Sequence, residues 1–450
     1  MVQGGVRVVG PRRAEVGHDV GRDVDLHLQR GVPGVRAEDA GRRCHRLAAR
    51  MSSAPALGDR ALFPTLAARS YLAHCAISPL SAPVHAAVVE YVDSYARLGV
   101  GALGRWLEQR AALRGRIAAL IGAHADDIAL VANTTTGVTD IAFGIDWKPG
   151  DRVVLFDGEF PANVTPWQQA AATFGLEILR VPLGGFGMPG HAPDGLAALR
   201  AALATGVRLV AVSAVQFQTG LAMPIAAIAA LCKEAGAELF VDAIQAVGVV
   251  PIDVSVGVDY LSCGSHKWLM GIDGCALLYV SPHRSAALVP RLGGWLSHED
   301  PVGFLMGASP LRYDRPLRAR ADVFEGGAPN GAGLAALGAG VELLHSLGVD
   351  TVFAHVQRWH DAIEPELLRR GFVSLRSPDP SRRSGILALR TPVDAQALVR
   401  LLGARGVVVS APDNHLRIAP SWPNAMDEVP LVVDAIDAAL REYGGASAAS

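Results

Sequence analysis

Between about Ala61 and Val280 the chain alternates short β-branched runs with helical patterns, and this alternation limits the fold more than any other feature. The runs are DIALVA (127–132), RVVLFD (152–157), LEILRV (176–181), VRLVAVSAV (207–215), AELFVD (237–242) and ALLYV (276–280). Strands that alternate with helices predict an α/β fold whose mostly parallel sheet is covered on both faces. Such sheets place ligands at the carboxyl ends of their strands. After residue 330 the pattern changes to two long helices (332–348 and near 350–369), then GILALR, a helix, GVVVSA, HLRIAP and a last helix, which predicts a small C-terminal α+β domain. The expected organisation is a large α/β domain over residues 61–330 and a small domain over 331–445. Residues 1–50 are rich in Arg, Gly and Val, contain no Lys and lack both an apolar period and a signal-peptide core. They are expected to be a disordered or misassigned N-terminal extension, with Met51 as the alternative start.

Composition removes several classes of function. Half of the 450 residues are apolar, enough for a large core. The net charge of −2, from 41 basic and 43 acidic side chains, gives no global field that would attract nucleic acid or an anionic membrane. Cys44, Cys75, Cys232, Cys263 and Cys275 are odd in number and form no CxxC pair, which argues against a disulfide framework or a zinc site and for a reducing, cytoplasmic setting. The uncharged stretch between Arg208 and Lys233 is divided by Gln216, Gln218, Gly220 and Pro224 into strand, turn and helix rather than a membrane span. No GxGxxG opens a helix after the first strand and no GxxxxGK[ST] occurs, so a nucleotide-binding or non-catalytic α/β protein is disfavoured.

The chemistry concentrates in VDAIQAVGVVPIDVSVGVDYLSCGSHKWL, from Val241 to Leu269. Asp242 ends a buried strand, where a carboxylate can hold a pyridine nitrogen protonated and make the ring an electron sink. Gln245 could reach the phenolic oxygen of the same ring. Lys267 falls one crossover and one strand later, so it can converge with Asp242 from a neighbouring strand end. Read singly, Asp242 is as well explained as a helix cap and Lys267 as a surface lysine. Together, with the apolar Trp268, Leu269 and Met270 following, they describe a desolvated amine suited to Schiff-base formation with pyridoxal 5′-phosphate (PLP).

This segment resembles the core of the class V PLP-dependent aminotransferases, the family of cysteine desulfurases, selenocysteine lyases, kynureninases and isopenicillin N epimerase-like enzymes. The similarity extends over about residues 61–440 and implies the PLP-dependent transferase fold of type I, with a seven-stranded sheet. By resemblance, Thr134 and Thr135 of NTTTGVTD (133–140) seat the cofactor phosphate, with Ser265 and His266 as further phosphate contacts. Phe160 of GEFPANVTPW (158–167) would stack on the ring. Gln216 and Phe217 would lie near the substrate side. Arg417 of HLRIAPSWPNAMDEV (415–429) would receive the substrate α-carboxylate. The loop in RADVFEGGAPN (320–330) resembles one that crosses a dimer interface, where a Thr commonly donates to the partner's phosphate; this chain has Ala328 there.

The reaction expected is amino-group transfer by a class V aminotransferase acting on a small-molecule amino acid. The alternatives are C–S or C–Se lysis, as in cysteine desulfurases, and epimerisation. Desulfurases place a nucleophilic Cys upstream of the carboxylate arginine, and RLLGARGVVVSAPDNHLR (400–417) has none. Cys75, in YLAHCAISPL (71–80), is the remaining candidate, and it reads as well as a small buried hydrophobe. No metal is implied. The expected assembly is a homodimer in which each active site borrows Glu325–Asn330 from its partner.

Overall fold

The computed structural model describes residues 54–448, apart from residue 302 and residues 304–313; the expectations for residues 1–50 lie outside these limits. The six predicted runs form β2 (Ile128–Val131), β3 (Arg152–Phe156), β4 (Glu177–Val181), β5 (Val207–Ser213), β6 (Glu238–Asp242) and β8 (Ala276–Val280), and β7 (Tyr260–Gly264), the strand expected between Asp242 and Lys267, completes the central sheet, after a short N-terminal β1 (Ser70–Tyr71). The order across the seven-stranded sheet is β2-β8-β7-β6-β5-β3-β4, with only β8 antiparallel to its neighbours.

Every residue of β2, β6, β7 and β8 is buried. That is why these strands read as continuous Val/Ile/Leu runs: helices cover both faces, so neither face selects polar side chains. One face packs Leu130, Val154, Val210, Val212, Leu239, Val241 and Leu261 into the largest core cluster. The other packs Ala129, Val153, Leu155, Leu209, Phe240 and Tyr260 under Trp167 and Ile141.

The helix Thr134–Gly144 begins because Asn133 cannot continue β2 and instead caps the first turn, its side chain accepting from Thr136 N at 2.8 Å. Helix Gly331–Leu347 opens the C-terminal part but packs against Ala82–Leu98 and Leu103–Ile121, so it shares the large core. The next helix, Val349–Leu368, turns away by 78°. With the sheet β12-β10-β9 (His415–Ile418, Leu387–Arg390, Val373–Ser374) and the helices Ala395–Gly403 and Glu428–Ala448, it encloses a separate core around Trp359, Leu387, Leu398 and Ile436. Among the described residues no single helix is long and apolar enough to cross a membrane.

β1 was not among the expected elements. Its two residues pair in parallel with β11 (Val407–Val408), and Leu72 enters the C-terminal core. The N-terminal segment is thereby laid along the far end of the chain, and this brings residues 71–78 to the mouth of the site.

Candidate active site

The carboxyl ends of the parallel strands gather the sequence-predicted residues. Register places Ser213, Asp242 and Ser262 side by side on β5, β6 and β7. Asp242 is 2% exposed, and its Oδ1 accepts from Ile244 N at 3.0 Å. Burial pushes its carboxyl up to about 7; the negative Glu159 adds to the rise and Lys267 opposes it.

Lys267 stands on a tight loop that leaves β7. Gly271 N donates to Ser265 O (2.8 Å), Met270 N to Lys267 O (3.0 Å), and the Ser265 hydroxyl to Ile272 O. Met270 closes this loop with φ +52, a left-handed conformation that costs a non-glycine residue about 1 kcal/mol and persists only where packing enforces it. The packing is evident: Trp268, Leu269 and Met270 are all buried. Lys267 Nζ lies 5.9 Å from the centre of the Phe160 ring. Its proton affinity is lowered, foremost by burial and further by Arg417, while Asp242 and Cys75 oppose the shift.

Around this pair the other predicted residues are placed unequally. Thr134 is buried at the start of its helix, and its Oγ1 has no hydrogen-bond partner among the described residues. A Cβ on Gly264 would come within 3.2 Å of that Oγ1 and 3.3 Å of His266 Cε1, so Thr134 and His266 flank a notch at Gly264 that a side chain would fill. Thr135 is exposed on the same first turn. His266 Nδ1 is 3.4 Å from Asp273, and burial lowers its proton affinity.

Two of the predicted residues are engaged within the subunit. Ser265 spends its N–H on Cys275 O and its hydroxyl on Ile272 O, so it shapes the lysine loop and has no donor to spare for a phosphate. Gln245 bridges Cys75 O (2.9 Å, from Nε2) and Trp268 Nε1 (3.1 Å, to Oε1), leaving one amide N–H for a ligand.

Phe160 is 44% exposed and meets Phe217 edge-on at 5.1 Å. Arg417 is 6% exposed. It donates to Phe217 O (2.7 Å) and Ser410 Oγ (3.1 Å), with no carboxylate of the described residues within ion-pair distance. A buried guanidinium held only by neutral acceptors retains capacity for an anion. Ala328 is not brought to this cluster: it borders a groove of about 540 Å³ lined by Tyr91, Tyr95, Trp106, Arg110 and Leu113.

Residues 70–419 match the protein family described as Aminotransferase class-V. The chain belongs to the class V aminotransferase family. It is 30% identical over 384 residues to the uncharacterized aminotransferase YcbU of Bacillus subtilis, covering 84% of this chain and 96% of that one. A cysteine desulfurase of Dickeya dadantii is 32% identical over 290 residues, 61% of this chain and 64% of that one. The apo structure of a cysteine desulfurase from Thermococcus onnurineus superposes with a TM-score of 0.74 over 83% of this chain and 95% of that one; at 22% identity this is a likeness of fold. Like the rest of the class V aminotransferase family, the chain is a PLP-dependent enzyme, of the transferase or lyase kind.

One residue of this class V site escaped the sequence reading. Glu159, beside Phe160, is 8% exposed and accepts four hydrogen bonds: from Ser213 N (2.7 Å), Ser213 Oγ, Gln216 Nε2 (3.0 Å) and Asn163 Nδ2 (3.2 Å). A glutamate between Gly158 and Phe160 in a loop reads as solvated, and the only available hint was its neighbour. Basic residues ahead of the EGGAPN loop have partners within the subunit. Arg318 pairs with Asp322 (2.5 Å), and Glu325 is buried against Arg110 and Arg114 (2.6 Å to the latter) while accepting from Leu130 N (2.7 Å).

Proposed function

We propose that Lys267 is the covalent attachment point for PLP, that Asp242 faces the pyridine nitrogen and Arg417 the substrate carboxylate, and that the enzyme transfers an amino group from an amino acid. The observation that carries this reading is the pairing of Lys267 with Asp242: a desolvated amine under an exposed aromatic face, beside a buried carboxylate at the next strand end. The chain's own groups fit the cofactor. Thr134 offers an unpartnered buried hydroxyl at a helix N-terminus whose first N–H groups have no carbonyl to bond, which suits a phosphate. The remaining N–H of Gln245 is a donor for the ring oxygen, and Phe160 is the stacking face.

PLP, when bound, supplies an electron sink that makes the bonds to the substrate Cα breakable. The protein decides which bond breaks. Burial leaves Lys267 Nζ a larger neutral fraction at neutral pH, so it can accept the Cα proton and return it elsewhere. Arg417, fixed by Phe217 O and Ser410, holds the carboxylate and thereby sets which Cα bond faces the amine. Transamination is favoured over persulfide-forming lysis because Cys75, Cys232, Cys263 and Cys275 are all buried. Cys75 lies nearest the chemistry, its Sγ 3.7 Å from Ser410 Oγ, yet is only 1% exposed.

We further propose a homodimer. Exposed apolar side chains, Val89, Val92, Tyr95, Leu98 and Leu107 on the helices Ala82–Leu98 and Leu103–Ile121 and Val100 on the turn between them, lie beside the groove that Ala328 and Pro329 border. A face of this kind calls for a partner surface.

Two measurements test the assignment. Amino acids screened against the purified enzyme should change its visible absorption, and the responding side chain names the substrate class. Lys267→Ala should fold normally and lose borohydride-fixed cofactor; a variant that still fixes it would refute the role of Lys267.

A further inference from the structure

We infer that Glu159 is a positioning residue of the cofactor site, whose ionised carboxylate locks the Phe160 turn onto the end of β5 and holds a second negative charge beside Asp242. The inference rests on the reading of Lys267 and Asp242 as that site. Four donors converge on Glu159, one for each lone-pair direction of a carboxylate, and all four are N–H or O–H groups that a protonated acid would satisfy less well. No Lys, Arg or His of the described residues lies within ion-pair distance; burial raises the proton affinity of Glu159, and the hydrogen bonds from Ser213, Gln216 and Asn163 oppose that rise, so neutral dipoles alone favour the charged form. Its position follows from register: Ser213, which gives Glu159 both its N–H and its hydroxyl, is the strand partner of Asp242.

Two consequences follow from one side chain. Asn163 donates to one oxygen of the carboxylate and Ser213 to both, which pins residues 159–163 and leaves the Phe160 ring over Lys267. Gln216 is oriented by the same carboxylate, with its Oε1 buried and unpartnered among the described residues. The charged and titratable groups around the centre are Asp242 on β6, Cys263 within β7, His266 and Lys267 on the following loop, Cys75 on the N-terminal segment and Arg417 on β12. Asp273 stands 3.4 Å from His266 Nδ1 but is exposed, whereas Asp242 and Glu159 are buried carboxylates, so Glu159 adds to the field that favours a protonated, cationic cofactor.

The test uses the holoenzyme and reads the pH at which the visible band of the bound cofactor titrates. A nearby anion raises the midpoint of a group that is cationic when protonated. Glu159→Gln keeps the shape and removes the charge, so the midpoint should fall by on the order of one unit, about tenfold in the protonation equilibrium, for charges a strand spacing or two apart. Ser213→Ala removes one hydrogen bond but keeps the charge, and should leave the midpoint in place. An unmoved midpoint in Glu159→Gln overturns the inference, and so does an equal fall in Ser213→Ala. If Glu159→Gln does not fold, Glu159→Ser, a smaller neutral replacement, takes its place: a lowered midpoint supports the charge, an unmoved one refutes it. Failure of the underlying site would show separately, as borohydride-fixed cofactor in Lys267→Ala.

Discussion

The Asp242 carboxylate is held at about 7, chiefly by burial with Glu159 adding and the Ile244 N–H and Lys267 opposing, so a further cation beside it favours its ionised form. Asp242→Asn should therefore retain cofactor and lose turnover by several orders of magnitude, because the amide cannot hold the pyridine proton; single-turnover kinetics with a responsive amino acid would check this. Arg417→Lys should raise KM more than it lowers kcat. Exchanging a planar fork for a point charge forfeits about 1.5–3 kcal/mol of charge-assisted bonding, roughly 10- to 150-fold in kcat/KM. Lys267 and Asp242 could be singled out in the sequence because they fall together at successive strand ends, a coincidence that a helix cap and a surface lysine do not explain, and Arg417 through the resemblance carried by HLRIAPSWPNAMDEV. Glu159, and the true partners of Gln245 and Ser265, could not. Their roles depend on which donors and acceptors tertiary packing brings within 3 Å, and no local pattern encodes that.

Among the elements, Thr134–Gly144 carries a pH dependence of its own. Asp140 is 8% exposed, its Oδ2 has no partner among the described residues, and burial raises its carboxyl to about 7. Between its ordinary value of 3.8 and about 7 the folded chain keeps a proton that the unfolded chain releases, so this residue reduces stability progressively as pH rises through that window. Asp140→Asn should gain thermal stability over the wild type as pH goes from 4 to 8, with the two nearly equal at the acid end; a pH-independent difference would contradict the assignment. Six of the seven sheet strands were legible as runs of β-branched and apolar residues, most of them because two-sided burial selects such residues; β7, YLSCG, carries no such run and was implied only by the spacing of Asp242 and Lys267. β1 was not, since a two-residue strand is too short to carry a period, and its pairing with β11, inside the predicted GVVVSA run, is decided by a partner at the other end of the chain.

For the whole molecule, assembly is the open test. Sedimentation at micromolar concentration should show a dimer, and Val92→Glu with Leu98→Glu should shift it toward monomer by placing charges on the exposed apolar face. A monomeric wild type with full activity would remove the dimer from the mechanism. One further consequence concerns synthesis. Cys75 meets Ser410 across 335 positions, and Ser70 meets Glu428 across 358. On the ribosome the strands that carry Asp242 and Lys267 emerge well before β11, yet the segment that lines their mouth, made first, has nothing to pair with until β11 follows. During that interval Leu72, later fully buried, is left in water. Nascent chains stalled before residue 406 should therefore be richer in chaperone contacts near their N-terminal segment than chains released at full length, although their central sheet is already complete.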